Sequence, residues 1–210
     1  MTAEAVLKLS PIVPVIALEN EEDALPLANA VLEGGINIME ITLRTDAGLK
    51  AIEIISKALP QMHVGAGTVL NSSDFKNAVA HGAAFVFSPG ISEALMQTSK
   101  ELNVALIPGV ATASEVMLAK NNGFEHCKLF PATLAGGIDI LKALSGPFPS
   151  MRFCPTGGVN LENINDFLSL DNVLCAGGSW IVPKQALKEK NFKEIIKLCS
   201  EAMQIIKGEK

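Results

Sequence analysis

The stretch INIMEITLRTDAGLKAIEIISKALPQMHVGAGT, residues 36–68, decides the fold. It opens on a β-rich apolar run, INIMEITL (36–43), and closes on another, MHVGAGT (62–68). Between them Leu49, Ile52 and Ile55 recur at the spacing of one helix face. Strand, helix and strand in about thirty residues make a crossover unit, and crossover units build parallel sheets.

The alternation continues in both directions. PIVPVIAL (11–18) precedes it, and AFVFSP (84–89), VALIPG (104–109), EHCKLFP (125–131), MRFCPT (151–156) and NVLCAGG (172–178) follow. Leu25, Ala28, Val31 and Leu32 mark another helix face. Helix stops stand at Gly34-Gly35, Gly82 and Gly123, and helix starts at Asn71, Ser92 and Thr112. The eight strands begin about 20 to 26 residues apart. Near-continuous apolar strands suit a sheet covered on both faces. The even spacing favours a closed (β/α)8 TIM barrel over an open doubly wound sheet. No linker or composition break divides the chain, so a single α/β domain over 1–210 is expected. MTAEAVLKLS (1–10) is expected to add a short helix at the N-terminal ends of the strands.

Composition narrows the class. The chain has 210 residues, 49% hydrophobic and 19% charged, and a net charge of −5. The acidic balance argues against nucleic acid or a basic membrane surface as partner. The N-terminus lacks a basic segment followed by an apolar one, so no secretory signal is read. No apolar run reaches the roughly 18 residues of a membrane helix. The cysteines, Cys127, Cys154, Cys175 and Cys199, are scattered and make no CxxC pair. They read as reduced structural thiols of a cytoplasmic protein.

Chemistry belongs at the carboxyl ends of barrel strands, and the unusual residues collect there. Glu40, Thr42 and Arg44 share parity and project from one face; Glu40 and Arg44 lie roughly 13 Å apart along the strand. On the sixth strand His126, Lys128 and Phe130 share a face, while Cys127 and Leu129 share the one that suits helix packing. Lys128 is the one lysine of fifteen inside an apolar strand. Only two arginines occur, Arg44 and Arg152, and Arg152 begins its strand. Glu40 and Lys128 also fit a structural ion pair, and Arg44 a solvated strand-end residue. Gly157-Gly158 and Gly178-Ser179 follow the seventh and eighth strands, where barrels often bind phosphate. Missing side chains let backbone N–H groups approach an anion. Residues 179–182, before Pro183, are expected to form the short helix of such a site.

Other motifs fail. GAG at 65–67 lacks the third glycine of a dinucleotide fingerprint. His63, His81 and His126 have no partners at metal-ligand spacing, and His126 reads as a core histidine. What remains is a buried amine, one inward carboxylate, a guanidinium and a phosphate loop. Burial lowers a lysine's pKa, and a neutral amine can add to a ketone. The iminium is an electron sink, and Glu40 can accept the proton released as a carbon–carbon bond breaks. A Schiff-base aldolase for a phosphorylated α-keto acid follows.

The stretches PVIAL, EITLRT, VGAGTVLN, SPG, LIPGV, KLFPA, GPFPSMRFCPTGGV and VLCAGGSWIVP resemble the 2-keto-3-deoxy-6-phosphogluconate and 4-hydroxy-2-oxoglutarate aldolases, from about Pro11 to beyond Trp180. The resemblance implies a class I lyase on a (β/α)8 barrel, a homotrimer without metal or other cofactor. It implies Lys128 as the Schiff-base lysine and Glu40 as the proton carrier. Arg44 and Thr68 match the pyruvate carboxylate site, Pro89 and Phe130 the pocket wall, and Gly157, Gly158 and Ser179 the phosphate site; Gly178 stands beside them. Relatives often read FPAE where this chain reads FPAT, with Thr133. An aldolase for the galactonate epimer, or a sugar-phosphate isomerase or synthase using Lys128 without covalent chemistry, remains the alternative.

Overall fold

In the computed structural model, which describes residues 1–208, strand and helix alternate along the chain. A short helix α1 (Ala3–Leu7) comes first. Then follow β1 (Ile12–Ile16), α2 (Ala24–Glu33), β2 (Ile38–Thr42), α3 (Ala47–Ala58), β3 (His63–Gly67), α4 (Ser72–Ala80), β4 (Phe85–Phe87) and α5 (Glu93–Leu102). The second half carries β5 (Ala105–Ile107), β6 (Gly109–Val110), α6 (Ala113–Asn121), β7 (His126–Leu129), α7 (Gly137–Ser145) and β8 (Arg152–Pro155). It ends with α8 (Ile164–Leu168), β9 (Ala176–Gly178), α9 (Lys184–Lys188) and α10 (Phe192–Lys207). Asn71, Ser92 and Thr112 cap α4, α5 and α6 with their side chains, Thr112 in a reciprocal box with Glu115.

The fold is α/β, with parallel pairing throughout. Six strands run in the order β5-β4-β3-β2-β1-β9, and three in the order β6-β7-β8. The strand expected over 104–109 is therefore two. Pro108 lies between β5 and β6 and has no N–H to give to a ladder. Its carbonyl still accepts from Lys128 N–H at 2.9 Å. β5 pairs with β4, and β6 pairs with β7. The strand expected over 172–178 is also shortened. It meets β8 only at two bridges, Phe153↔Val173 and Thr156↔Gly177. The offset changes by one residue between them, the mark of a bulge. Pairing thus divides into six and three strands instead of one uninterrupted ring of eight.

Residues 179–182, expected as a short helix, form a turn in which Val182 N–H donates to the Ser179 carbonyl at 3.3 Å. Pro183 is the reason. It disfavours helical backbone in the residue before it, and it caps α9 instead.

The interior packs large side chains against glycine. Phe85 fills the space that a β-carbon on Gly65 would need, and Thr156 does the same at Gly177. Phe85 and Phe87 meet edge to face at 5.8 Å. Cys127 and Leu129 are fully buried, as their packing face requires. All four cysteines are free and buried. Among the described residues no helix is long and apolar enough to cross a membrane. α1 packs near the start of β5, at the amino ends of the strands, as the sequence suggests.

Candidate active site

Lys128 sits in the middle of β7, paired in register with Gly109 and Cys154. Backbone alternation sends its side chain opposite to Cys127 and Leu129, into the interior. There Nζ lies 3.2 and 3.5 Å from the two carboxylate oxygens of Glu40 on β2. Both side chains are buried, 6% and 2% exposed. The rings of Phe87 and Phe130 each stand 5.4 Å from the amine. A carboxylate and two aromatic faces surround the nitrogen, so burial is not its only influence. Replacing a buried ion pair by apolar residues is often neutral or stabilising, so this one is poorly explained by stability alone.

Glu40 is held from below. Its carboxylate lies where a β-carbon on Gly67 would be, so glycine at the end of β3 gives it room. The next residue, Thr68, has φ +57°, a left-handed conformation rare for a β-branched residue. The chain on either side is tied down: Leu43 N–H donates to the Gly67 carbonyl at 2.8 Å, and Val69 N–H to the Phe87 carbonyl at 3.3 Å. Strain of this kind persists only where the surroundings enforce it, and it gathers at functional sites.

Beside the pair opens a cavity of about 400 Å³. Arg44, Phe130, Gly157, Gly158 and Ser179 line it, together with Thr156, Gly177 and Lys184. The lining contains no aspartate or glutamate and two cations, Arg44 and Lys184. Gly157 and Gly158 have φ of +99° and +82°. The N–H groups of Gly157, Gly158 and Ser179 donate to no backbone acceptor among the described residues. The two glycine carbonyls are taken: Thr133 N–H and Oγ1 donate to Gly157 O at 3.1 and 3.3 Å, and Asn163 Nδ2 to Gly158 O at 3.0 Å. Thr133 also fills the space that a side chain on Gly158 would need. The Thr133 position therefore bears on the shape of the glycine loop.

The expected residues divide in two. Lys128 and Glu40 meet inside, while Arg44, Phe130, Gly157, Gly158 and Ser179 share the cavity, with Phe130 common to both groups. Thr68 and Pro89 stand at neighbouring strand ends, outside the cavity lining. Gly178 faces Trp180, and its neighbour Gly177 faces the cavity. Sequence reasoning passed over Phe87, Gly177 and Lys184. Phe87 shares parity with Pro89, a usable signal; Lys184 reads as one more helix-surface lysine. Among the described residues no cluster of three His, Cys, Asp or Glu is placed to hold a metal ion.

A lysine amine, a carboxylate and an anion-receptive cavity at the carboxyl ends of parallel strands are the parts of a carbon–carbon lyase. The chain belongs to the KDPG and KHG aldolase family, whose model matches residues 3–198. It is 44% identical over 203 residues to the KHG/KDPG aldolase of Escherichia coli (strain K12), covering 97% of this chain and 95% of that one. It is 47% identical over 193 residues to the 2-dehydro-3-deoxy-phosphogluconate aldolase of Pseudomonas aeruginosa, covering 92% and 88%. Among solved structures it is similar to the KDPG aldolase of Legionella pneumophila with pyruvate captured as a covalent carbinolamine intermediate. That match has a TM-score of 0.95 at 46% identity, covering 97% and 98%.

Proposed function

We propose that the chain cleaves 2-keto-3-deoxy-6-phosphogluconate to pyruvate and glyceraldehyde 3-phosphate through a Schiff base on Lys128. It also cleaves 4-hydroxy-2-oxoglutarate to pyruvate and glyoxylate. The observation that carries this reading is the buried contact of Lys128 Nζ with the Glu40 carboxylate, 3.2 and 3.5 Å, beside the cavity.

In this reading the Lys128 amine adds to the C2 ketone and water leaves, giving an iminium. Glu40 takes the proton of the C4 hydroxyl as the C3–C4 bond breaks. The bonding pair moves into the iminium, which becomes an enamine, and the aldehyde departs. A proton returned from Glu40, directly or through water, to C3 regenerates an iminium, now of pyruvate, and water hydrolyses it. Arg44 holds the α-carboxylate, as a guanidinium does well, with Thr68 beside it. Pro89 and Phe130 flank the carbon chain. Gly157, Gly158, Gly178 and Ser179 receive the phosphate. The iminium serves as electron sink, so the reaction calls on no cofactor.

The same reading closes the two sheets into one (β/α)8 TIM barrel domain over 1–210. Its supports are the bridges Phe153↔Val173 and Thr156↔Gly177 and the Glu40–Lys128 contact, which joins a strand of one sheet to a strand of the other. The enzyme works in the cytoplasm, which suits four free buried thiols. It works as a homotrimer; that rests on likeness to the family alone, and light scattering would test it.

The deciding experiment is reductive trapping. Incubation with pyruvate and borohydride should add a three-carbon fragment to Lys128, and Lys128→Ala should gain none. A wild-type protein that gains no mass under these conditions does not use a Schiff base.

A further inference from the structure

We infer that Lys184 is a phosphate-binding residue of this enzyme and sets its preference for phosphorylated over unphosphorylated substrate. The inference rests on the function proposed above and adds a residue to it.

The phosphate holders of that reading, Gly157, Gly158, Gly178 and Ser179, are all neutral. A phosphate monoester carries about −1.5 to −2 charges at pH 7. Neutral N–H groups orient such an anion but leave its charge uncompensated. Arg44, at the turn after β2, is already assigned to the substrate's carboxylate. Lys184 is the other cation lining the cavity, five residues beyond Ser179, which lines it too. It stands on the divide between this cavity and a neighbouring hollow lined by Glu19 and Asp23. Asp23 is taken there by Lys190 at 3.4 Å, and neither Glu19 nor Lys184 makes an ion pair among the described residues. An ammonium on a flexible stem acts as a point charge for phosphate. Two cations at two places in a lining without carboxylates match a substrate with two anionic ends.

The test compares wild type, Lys184→Ala and Lys184→Arg on 2-keto-3-deoxy-6-phosphogluconate and on unphosphorylated 2-keto-3-deoxygluconate. Lys184→Ala should lose about tenfold in kcat/KM on the phosphorylated substrate, mostly through KM, as expected for one exposed charge near a dianion. It should change by less than about twofold on the unphosphorylated one, a difference too small to count as lost binding. Lys184→Arg should restore most of the loss. Inorganic phosphate should inhibit Lys184→Ala more weakly than wild type. Equal losses on both substrates, or no loss on either, would overturn the assignment. A wild type that traps pyruvate but does not prefer the phosphorylated substrate would overturn it together with the phosphate site. Failure of pyruvate trapping in wild type removes the Schiff-base reading instead, whatever Lys184→Ala does.

Discussion

Glu40 occupies the space that a side chain on Gly67 would need. Every methyl group placed there must push the carboxylate, and the carboxylate is what Lys128 touches. Gly67→Ala should therefore lower kcat by about 10²-fold, the scale of a misplacement near 1 Å. The overpacking should cost about 1–3 kcal/mol in stability. Pyruvate trapping should persist, because the amine itself is untouched. Steady-state kinetics beside a borohydride trap checks this; an unchanged kcat would show that Glu40 has room to spare.

Glu40→Gln keeps the shape and removes the proton acceptor. Turnover should fall about 10²–10⁴-fold, the usual contribution of general acid–base help, while the lysine still forms its adduct. Single-turnover rates separate the two steps. Full turnover in this variant would take Glu40 out of proton transfer.

The thiols should be silent in the folded protein. Burial pushes Cys127 and Cys199 up to about 12. Cys175 is also raised well above an ordinary thiol, first by its hydrogen bond with Cys154 and then by burial. All four thiols are buried, so iodoacetamide at pH 8 should label none of them until denaturant is added. Mass spectrometry counts the labels, and rapid labelling of the native protein would contradict the packing described.

His126 gives the stability a pH dependence of known sign. It is half-buried, and burial lowers its pKa against the upward pull of Glu4 and Glu125; Arg152 and Lys8 add to the lowering. The unfolded chain then binds more protons than the folded one as pH falls below about 6.5. The stabilising effect of a neutral His126 is complete above that value and is lost on acidification toward the folded pKa. Urea midpoints at pH 7.5 and 5.5 should differ more for wild type than for His126→Gln. Equal differences would assign the acid sensitivity to other groups.

Much of this was legible in residues 36–68. The parity of Glu40, the spacing of Leu49, Ile52 and Ile55, and the strand that ends in GAGT at 65–68 contain the crossover unit and its inward carboxylate. Lys128 stood out because a lysine in an apolar strand contradicts its surroundings unless it has work to do. Gly157-Gly158 and Gly178-Ser179 drew attention to the loops after the seventh and eighth strands, and Gly157, Gly158 and Ser179 line the cavity together with Gly177. Period and polarity are local properties, and one strand carries them whole.

The rest depended on contacts between distant parts of the chain. Glu40 and Lys128 are 88 residues apart, and only folding brings them to 3.2 Å. The break at Pro108 and the bulge before Gly177 depend on which neighbour each strand must pair with. Lys184 reads in the sequence like any surface lysine, and only the fold places it on the cavity wall. The sequence by itself determined the alternation, the faces and the chemical identity of the amine and carboxylate. Tertiary structure decided which groups meet, because burial and charge contact are set by neighbours that sequence distance does not reveal.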